Sequence, residues 1–298
     1  MGITALFPIN RQRPLGRLLG AVLVAALAAA GSPPLAMARS REAASPDSAQ
    51  RLQVASPAPQ PILGERLSFH GHWLGLPIGS GWLEVKEIVE VDGRRAYHIQ
   101  AEGHTNDVLS ALYPIHDSFH SYLDVETLKP LRFEKHQREG RYRADEMVTF
   151  DHAAKRATYR SLLNHSVKEI ELPEEFQDLI SALYWFRAQP LDANQPLAVN
   201  LYTDEKIYRT EIRFQGPQIL ELLKRGTFPC LVVEPKASFK GILVKRGRIW
   251  AYFTTDARRV PLLARATTPW GPMSAVLDET ALQAALLGAQ KSPSSQAP

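Results

Sequence analysis

From Glu65 onward the chain is written in a period of two, in short runs that alternate apolar and polar residues and are broken every dozen residues or so by turn chemistry. Successive side chains of a strand point to opposite faces, so this pattern commits the chain to strands with one buried side. Four pairs of runs flank short turn dipeptides and predict long antiparallel hairpins. Residues 81–91 and 94–101 flank Asp92-Gly93, 131–137 and 142–150 flank Glu139-Gly140, 197–202 and 207–214 flank Asp204-Glu205, and 239–244 and 248–254 flank Arg246-Gly247. Residues 260–266 and 273–277 continue the pattern. So many strands cannot lie flat. The expected fold is all-β dominated: a large curled antiparallel sheet, a half-barrel or lipocalin-like barrel, with one or two helices packed on its concave side.

Helical spacing is clear in one internal place. Phe176, Leu179, Ile180, Leu183, Tyr184 and Arg187 share one face of a helix, Pro173 opens it, and Glu174 and Glu175 suit the dipole of its first turn. A short turn over 106–112 and a terminal helix over 279–287 are also expected.

The N-terminus has a different grammar. Arg11, Arg13 and Arg17 precede an apolar run over 18–31, Pro33-Pro34 stops it, and Ala36-Met37-Ala38 fits a signal-peptidase site. The expectation is a periplasmic protein cleaved after Ala38. A run of 14 residues falls short of the roughly 20 that a spanning helix needs, so no transmembrane span is expected in the mature protein, and no cysteine follows the run to carry a lipid. The expected layout is a signal peptide over 1–38, a flexible Ala, Ser, Pro and Gln-rich linker over 39–61, one domain over 62–287, and a disordered tail over 288–298.

Charge then narrows the partners. The full chain carries 35 Lys and Arg against 31 Asp and Glu. Removal of the three leader arginines leaves 32 against 31, too little excess for a nucleic-acid binder. Cys230, the one cysteine, excludes an internal disulfide and reads as a small apolar residue of a strand.

Three motifs have a familiar order and spacing: Trp73-Leu-Gly75-Leu-Pro77-Ile-Gly79, Asp178-Leu-Ile-Ser181-Ala-Leu-Tyr184-Trp-Phe-Arg187, and Trp250-Ala-Tyr-Phe-Thr254-Thr-Asp256-Ala-Arg-Arg259-Val-Pro261. Over residues 62–278 the chain resembles an exported bacterial family, the domain of unknown function 3108. The resemblance implies an envelope location and a curled sheet loosely like lipocalins or lipoprotein carriers, and brings no activity with it.

Read as chemistry, these motifs are mainly structural. Gly75, Pro77, Gly79 and Gly81 suit a tight turn into a strand and match no phosphate-binding spacing. Asp178, Arg187, Asp256 and Arg259 are expected to meet at the helix-sheet junction as a polar lock, or as a clamp on a ligand. His70 with His72, and His116 with His120, share strand faces without a third ligand, so neither metal nor cofactor is expected. Gly79-Ser80-Gly81 lacks a nucleophile elbow, and Ser118, His116 and Asp117 form a triad only if the fold gathers them. Lys236, Lys240, Lys245, Arg246 and Arg248 would put cations at a hairpin tip, either as a solvated edge or as a contact for anionic lipid headgroups.

Three functions remain open. A carrier of an apolar or amphipathic ligand, serving envelope assembly, would use Trp73, Trp82, Phe119, Tyr184 and Trp250 as its lining. An interaction module for an envelope protein partner would have a filled core. A hydrolase of envelope polymers would gather Ser, His and Asp in a cleft.

Overall fold

A computed structural model of the chain describes residues 61–191, 195–222, 226–237, 248–268 and 271–283, with the backbone of 38–42. The expected signal peptide up to residue 37, most of the linker and the tail lie outside these residues. Strand β1, Ala38–Glu42, occupies part of the stretch expected to be linker.

One antiparallel sheet dominates. Eight strands run consecutively: β2 (Arg66–Trp73), β3 (Leu76–Val91), β4 (Arg94–Thr105), β5 (Ile115–Asp124), β6 (Pro130–Glu139), β7 (Tyr142–Asp151), β8 (Arg156–Ser161) and β9 (Val167–Glu171), with the short helix α1 (Asp107–Ser110) between β4 and β5. After the helix α2 (Ser181–Ala188) come β10 (Leu197–Thr203), β11 (Lys206–Leu222), β12 (Gly226–Ala237), β13 (Ile249–Thr254), β14 (Pro261–Thr268) and β15 (Gly271–Leu277). Each run pairs with its neighbours in sequence. The two ribbons join where β15 pairs with β2, and one edge of β11 is shared by β10 and β1. The sheet is not closed by hydrogen bonds between β9 and β10.

The hairpins follow their turn residues. Asp92 and Gly93 both take positive φ, as do Asp204 and Glu205, the backbone that two-residue hairpins between twisted strands require. The turn expected at Glu139-Gly140 is displaced by one residue: β6 runs through Glu139, which pairs with Tyr142, so Gly140-Arg141 makes the turn. The expected strand 239–244 lies outside the described residues, and β13 pairs instead with β12, Val233 facing Ala251.

Residues opposite one another in register point to the same side, so the pairings sort the sheet into two faces. On the inner face Leu83, Val85, Ile99, Phe119 and Phe133 are buried, and over them lies the segment from Leu172 to α2, whose Phe176, Ile180, Leu183, Tyr184 and Phe186 are buried in the same core.

The helix is shorter than its spacing suggested. Residues 173–180 are not α-helical, because the backbone of Gln177 is taken by β10: its N–H donates to the carbonyl of Asn200 at 2.8 Å and its carbonyl accepts from Tyr202 N–H at 2.7 Å. Phe176 keeps its buried position by this bridge rather than by a helical turn, and Glu174 and Glu175 do not occupy a first turn of α2.

Candidate functional site

Both ends of α2 are held by buried polar groups. At its start Asp178 and Ser181 form a reciprocal cap: the Asp178 carboxylate accepts from Ile180 N–H and Ser181 N–H, each at 2.8 Å, while Ser181 Oγ accepts from Asp178 N–H at 2.8 Å. Ser121, on the inner face of β5, donates to the second carboxylate oxygen at 2.6 Å. Burial nonetheless pushes Asp178 up to about 6, against the three donors that pull it down, because no cation among the described residues faces it to offset the lost hydration.

At the other end Arg187 makes a two-pronged pair with Glu65, at 2.6 and 2.7 Å, and its Nε donates to the carbonyl of Arg258 at 2.9 Å. Burial pulls Arg187 down, but the Glu65 pair outweighs it and holds the guanidinium above its ordinary value. Beside it, Arg259 Nη1 donates to the carbonyls of Phe186, Arg187 and Gln189, the end of the helix where a cation is favoured. Asp256 shapes the turn that carries Arg259, accepting from the Thr254 hydroxyl and from Arg258 and Arg259 N–H.

The four charged residues expected to meet are therefore divided. Arg187, Asp256 and Arg259 gather at the C-terminal end of α2, Asp178 stands alone at the other, and the acid that pairs with Arg187 is Glu65. Glu65 precedes β2 and lies outside all three motifs, so no local signal marked it.

Between α2 and β10–β13 lies a cleft with a cavity of about 60 Å³. Leu179, Ala182, Leu183 and Phe186 supply the helix side, at helical spacing, and Val199, Ile212, Val233 and Phe253 are among the residues of the sheet side. Thr210 is the one polar residue in the lining.

The five aromatics expected to line a cavity do not converge there. Phe119 and Tyr184 are buried in the core, and Trp73 stands at the end of β2 beside Gly271. Trp82 and Trp250 point to the opposite face, because Leu83 and Ala251 take the inner positions, and each lies under a guanidinium, Arg66 at 4.1 Å and Arg248 at 4.6 Å from the ring centroids. Phe186 and Phe253 are the aromatics of the cleft.

Of the five basic residues, Lys236 and Arg248 both lie against the buried carboxylate of Glu234, at 3.7 and 2.8 Å, while Lys240, Lys245 and Arg246 are outside the described residues. Cys230 is buried and donates to the carbonyl of Gln218, and burial pushes its thiol up to about 12, which keeps it protonated and inert. Strand alternation separates the triad: Asp117 is buried on the inner face, while Ser118 meets His120 and His116 meets Glu102, both on the outer face. Glycines of the first motif serve the backbone. A Cβ on Gly79 would lie 2.1 Å from the carbonyl oxygen of His104 on β4.

The outer face of β4–β6 carries a row of histidines. His98 Nε2 lies 2.9 Å from His120 Nδ1, His120 Nε2 lies 3.0 Å from Ser118 Oγ, and Asp145 holds His136 Nδ1 at 2.9 Å. Among the described residues no group of three or more His, Cys, Asp or Glu is arranged to hold a metal ion. Burial, followed by His98, His136 and Lys86, pushes His120 down to about 4. An unfolded histidine takes its proton near 6.5, so as pH falls the unfolded chain is protonated first, and stability present above pH 6.5 is lost toward pH 4. The ring is part-exposed and screened, so the loss between pH 7 and pH 5 is about 1 kcal/mol. His120→Gln is expected to remove that loss in urea melts at the two pH values. Equal losses in both proteins would assign it elsewhere.

Comparison with known proteins agrees with this architecture. The solved structure of a β-barrel-like protein of the domain of unknown function DUF1849 from Brucella abortus is 7% identical, with a TM-score of 0.51 over 74% of this chain and 97% of that one. A Parabacteroides distasonis protein provisionally described as a lipoprotein is 10% identical over 73% of this chain and 95% of its own, and a Bacteroides fragilis protein with a YmcC-like fold, provisionally described as exported, is 11% identical over 72% and 94%, both with TM-scores of 0.27. The first likeness is one of fold alone. A comparison with curated proteins finds no match. No helix among the described residues is long and apolar enough to cross a membrane. The family of proteins of unknown function DUF3108 matches residues 68–278, which contain most of β2, the strands from β3 to β15, helix α2 and the cleft, and the chain belongs to that family.

Proposed function

We propose that the protein is exported to the periplasm and there binds a small apolar or amphipathic ligand in the cleft beside α2. The observation that carries this reading is the lining: eleven apolar residues and one threonine around a cavity that the packed side chains of the plug leave unfilled. Protein interiors leave few voids larger than a water, so an apolar one between a helix and a sheet is a candidate binding site. Size decides what fits. A single water needs about 10–15 Å³ of such volume, so 60 Å³ holds the bulk of a few waters. This is room for a short alkyl group and not for a long acyl tail. The N-terminal basic and apolar run with Ala36-Met37-Ala38 supports export.

A second reading is favoured by the plug itself. Phe176, Ile180, Leu183, Tyr184 and Phe186 are buried in one core with the inner face of the sheet, as an interaction module with a closed core would have it. Ala182→Leu separates the two, because Ala182 lines the cleft. For a binding protein the added isobutyl group occupies the cavity, and uptake of a fluorescent short-chain alkyl probe is abolished with a stability loss below about 1 kcal/mol. If the wild type takes up no probe at micromolar concentration and the variant is overpacked, losing about 1–3 kcal/mol, the interaction module replaces the ligand reading.

A further inference from the structure

The turns at the two ends of the first ribbon differ in chemistry. Alternate turns of an antiparallel ribbon fall at opposite ends, so those after β3, β5 and β7 share one end and those after β2, β4, β6 and β8 the other. Among the described residues eleven large apolar side chains are exposed, and six of them lie in or beside the second set: Leu74, Leu76, Val108, Leu112, Leu162 and Leu163. None lies in the first set.

Folding does not ask for this. Leu74-Gly75 and Asp92-Gly93 make the same two-residue turn with both residues at positive φ, +53° and +82° in the first, +49° and +77° in the second. An aspartate suits that backbone and water, whereas a leucine suits neither, yet Leu74 is half exposed there. Leu76, Val108 and Leu112 are more exposed still, at 68%, 80% and 84%. Side chains so open to water bury little area and add little to the core.

Backbone hydrogen bonds hold these turns together. Asn106 ties the loop of α1 to the start of β3, its N–H donating to the carbonyl of Ile78 at 2.9 Å and its Nδ2 to that of Pro77 at 2.7 Å. Gly140 N–H donates to the carbonyl of Pro114 at 2.8 Å, which joins the β6–β7 turn to the same loop, and Leu162 N–H donates to the carbonyl of Asp145 at 2.7 Å, which sets the β8–β9 turn beside β7. Trp73 and Tyr113, ring types that favour the boundary between lipid and water, stand at the bases of the first two turns. The charge here is cationic on balance, with Arg141 and Arg143 exposed at the β6–β7 turn against Asp107 of α1. Apolar side chains on successive turns present separate tips and not a groove, a form that suits a fluid layer better than the matched surface of a protein. We propose that this end of the sheet docks on a phospholipid bilayer, with Leu74, Leu76, Val108 and Leu112 entering the acyl boundary and Arg141 and Arg143 meeting anionic headgroups. The proposal is independent of the cleft.

The test measures cosedimentation of the mature protein, free of the apolar leader, with vesicles of phosphatidylglycerol and phosphatidylcholine in equal parts and with vesicles of phosphatidylcholine alone. Leu76→Cys and Asp92→Cys each carry an environment-sensitive fluorophore, one at either end of the ribbon, while Cys230 is buried and stays unlabelled. Expected are binding of the wild type to the mixed vesicles, quenching of the reporter at 76 and not of that at 92 by brominated acyl chains, and at least a tenfold loss of binding in the double variant Leu76→Ser with Leu112→Ser. Leu63→Ser removes an exposed leucine that lies outside these turns and should bind as the wild type does. Arg141→Glu should weaken binding to the mixed vesicles and leave binding to phosphatidylcholine unchanged. Failure of the wild type to bind either vesicle, equal quenching at 76 and 92, or full binding by the double serine variant overturns the proposal. A dimer that the serine substitutions abolish, with no vesicle binding, overturns it in favour of a second copy of the chain on the same tips.

Discussion

Arg187→Ala is expected to cost about 3–5 kcal/mol in urea unfolding, because it removes one half of a buried ion pair and strands the other. The Arg187 side chain is fully buried and that of Glu65 is 12% exposed, so the orphaned carboxylate cannot regain its hydration without opening the structure. The pair spans 122 residues of sequence and fastens the end of α2 to the chain just before β2. Breaking it therefore loosens plug and sheet together. The double variant Glu65→Leu with Arg187→Met should recover most of the loss, since two apolar side chains of similar length need no partner. An unfolding midpoint unmoved by Arg187→Ala would mean that the pair contributes nothing and that α2 is held by its apolar face alone.

Asp178→Asn is expected to act in the opposite sense. The folded carboxyl titrates near 6 against 3.8 in the unfolded chain, so the stability linked to its protonation is full below pH 3.8 and lost as pH rises through 6. The complete loss is about 3 kcal/mol, roughly half of it between pH 5 and pH 8. Asparagine keeps the acceptor for Ile180 and Ser181 N–H and carries no charge to desolvate. The variant should therefore be more stable than the wild type at pH 8, with the advantage shrinking by about 1.5 kcal/mol at pH 5. A variant less stable than the wild type at both pH values would show that the charge-assisted bonds from Ser121 and the cap outweigh burial. His120 shifts stability the other way over an overlapping range, so the comparison is made between variant and wild type at each pH rather than across pH in one protein.

Much of the sheet was legible because its signals are local. Asp92-Gly93 and Asp204-Glu205 fix their own backbone, and alternation fixes which side chains face inward. The start of α2 was not legible, because what stops the helix at Gln177 is a pair of backbone hydrogen bonds to β10, a strand that begins twenty residues later. The site was visible in part. Arg187, Asp256 and Arg259 were marked by charge in otherwise apolar motifs, but Glu65 has no such context and is found only through the fold. The aromatics misled for a simple reason. Trp82 and Trp250 are strand residues of the wrong parity, and a large ring draws notice whichever way it points.

The join between β15 and β2 bears on how the chain is made. Most other strands pair with the one before or after them, so hairpins can close as soon as they emerge, at the small entropic cost of short loops. The pairing of β2 with β15 must wait for the far end, setting Leu277 against Phe69 and Met273 against Trp73. Until then β2 offers an unpaired edge to whatever strand is near, the condition under which nascent β proteins misassemble. A chain cut short just before β15 would keep most of its hairpins and never lose that edge, so newly made protein stays vulnerable to misassembly until β15 has been delivered.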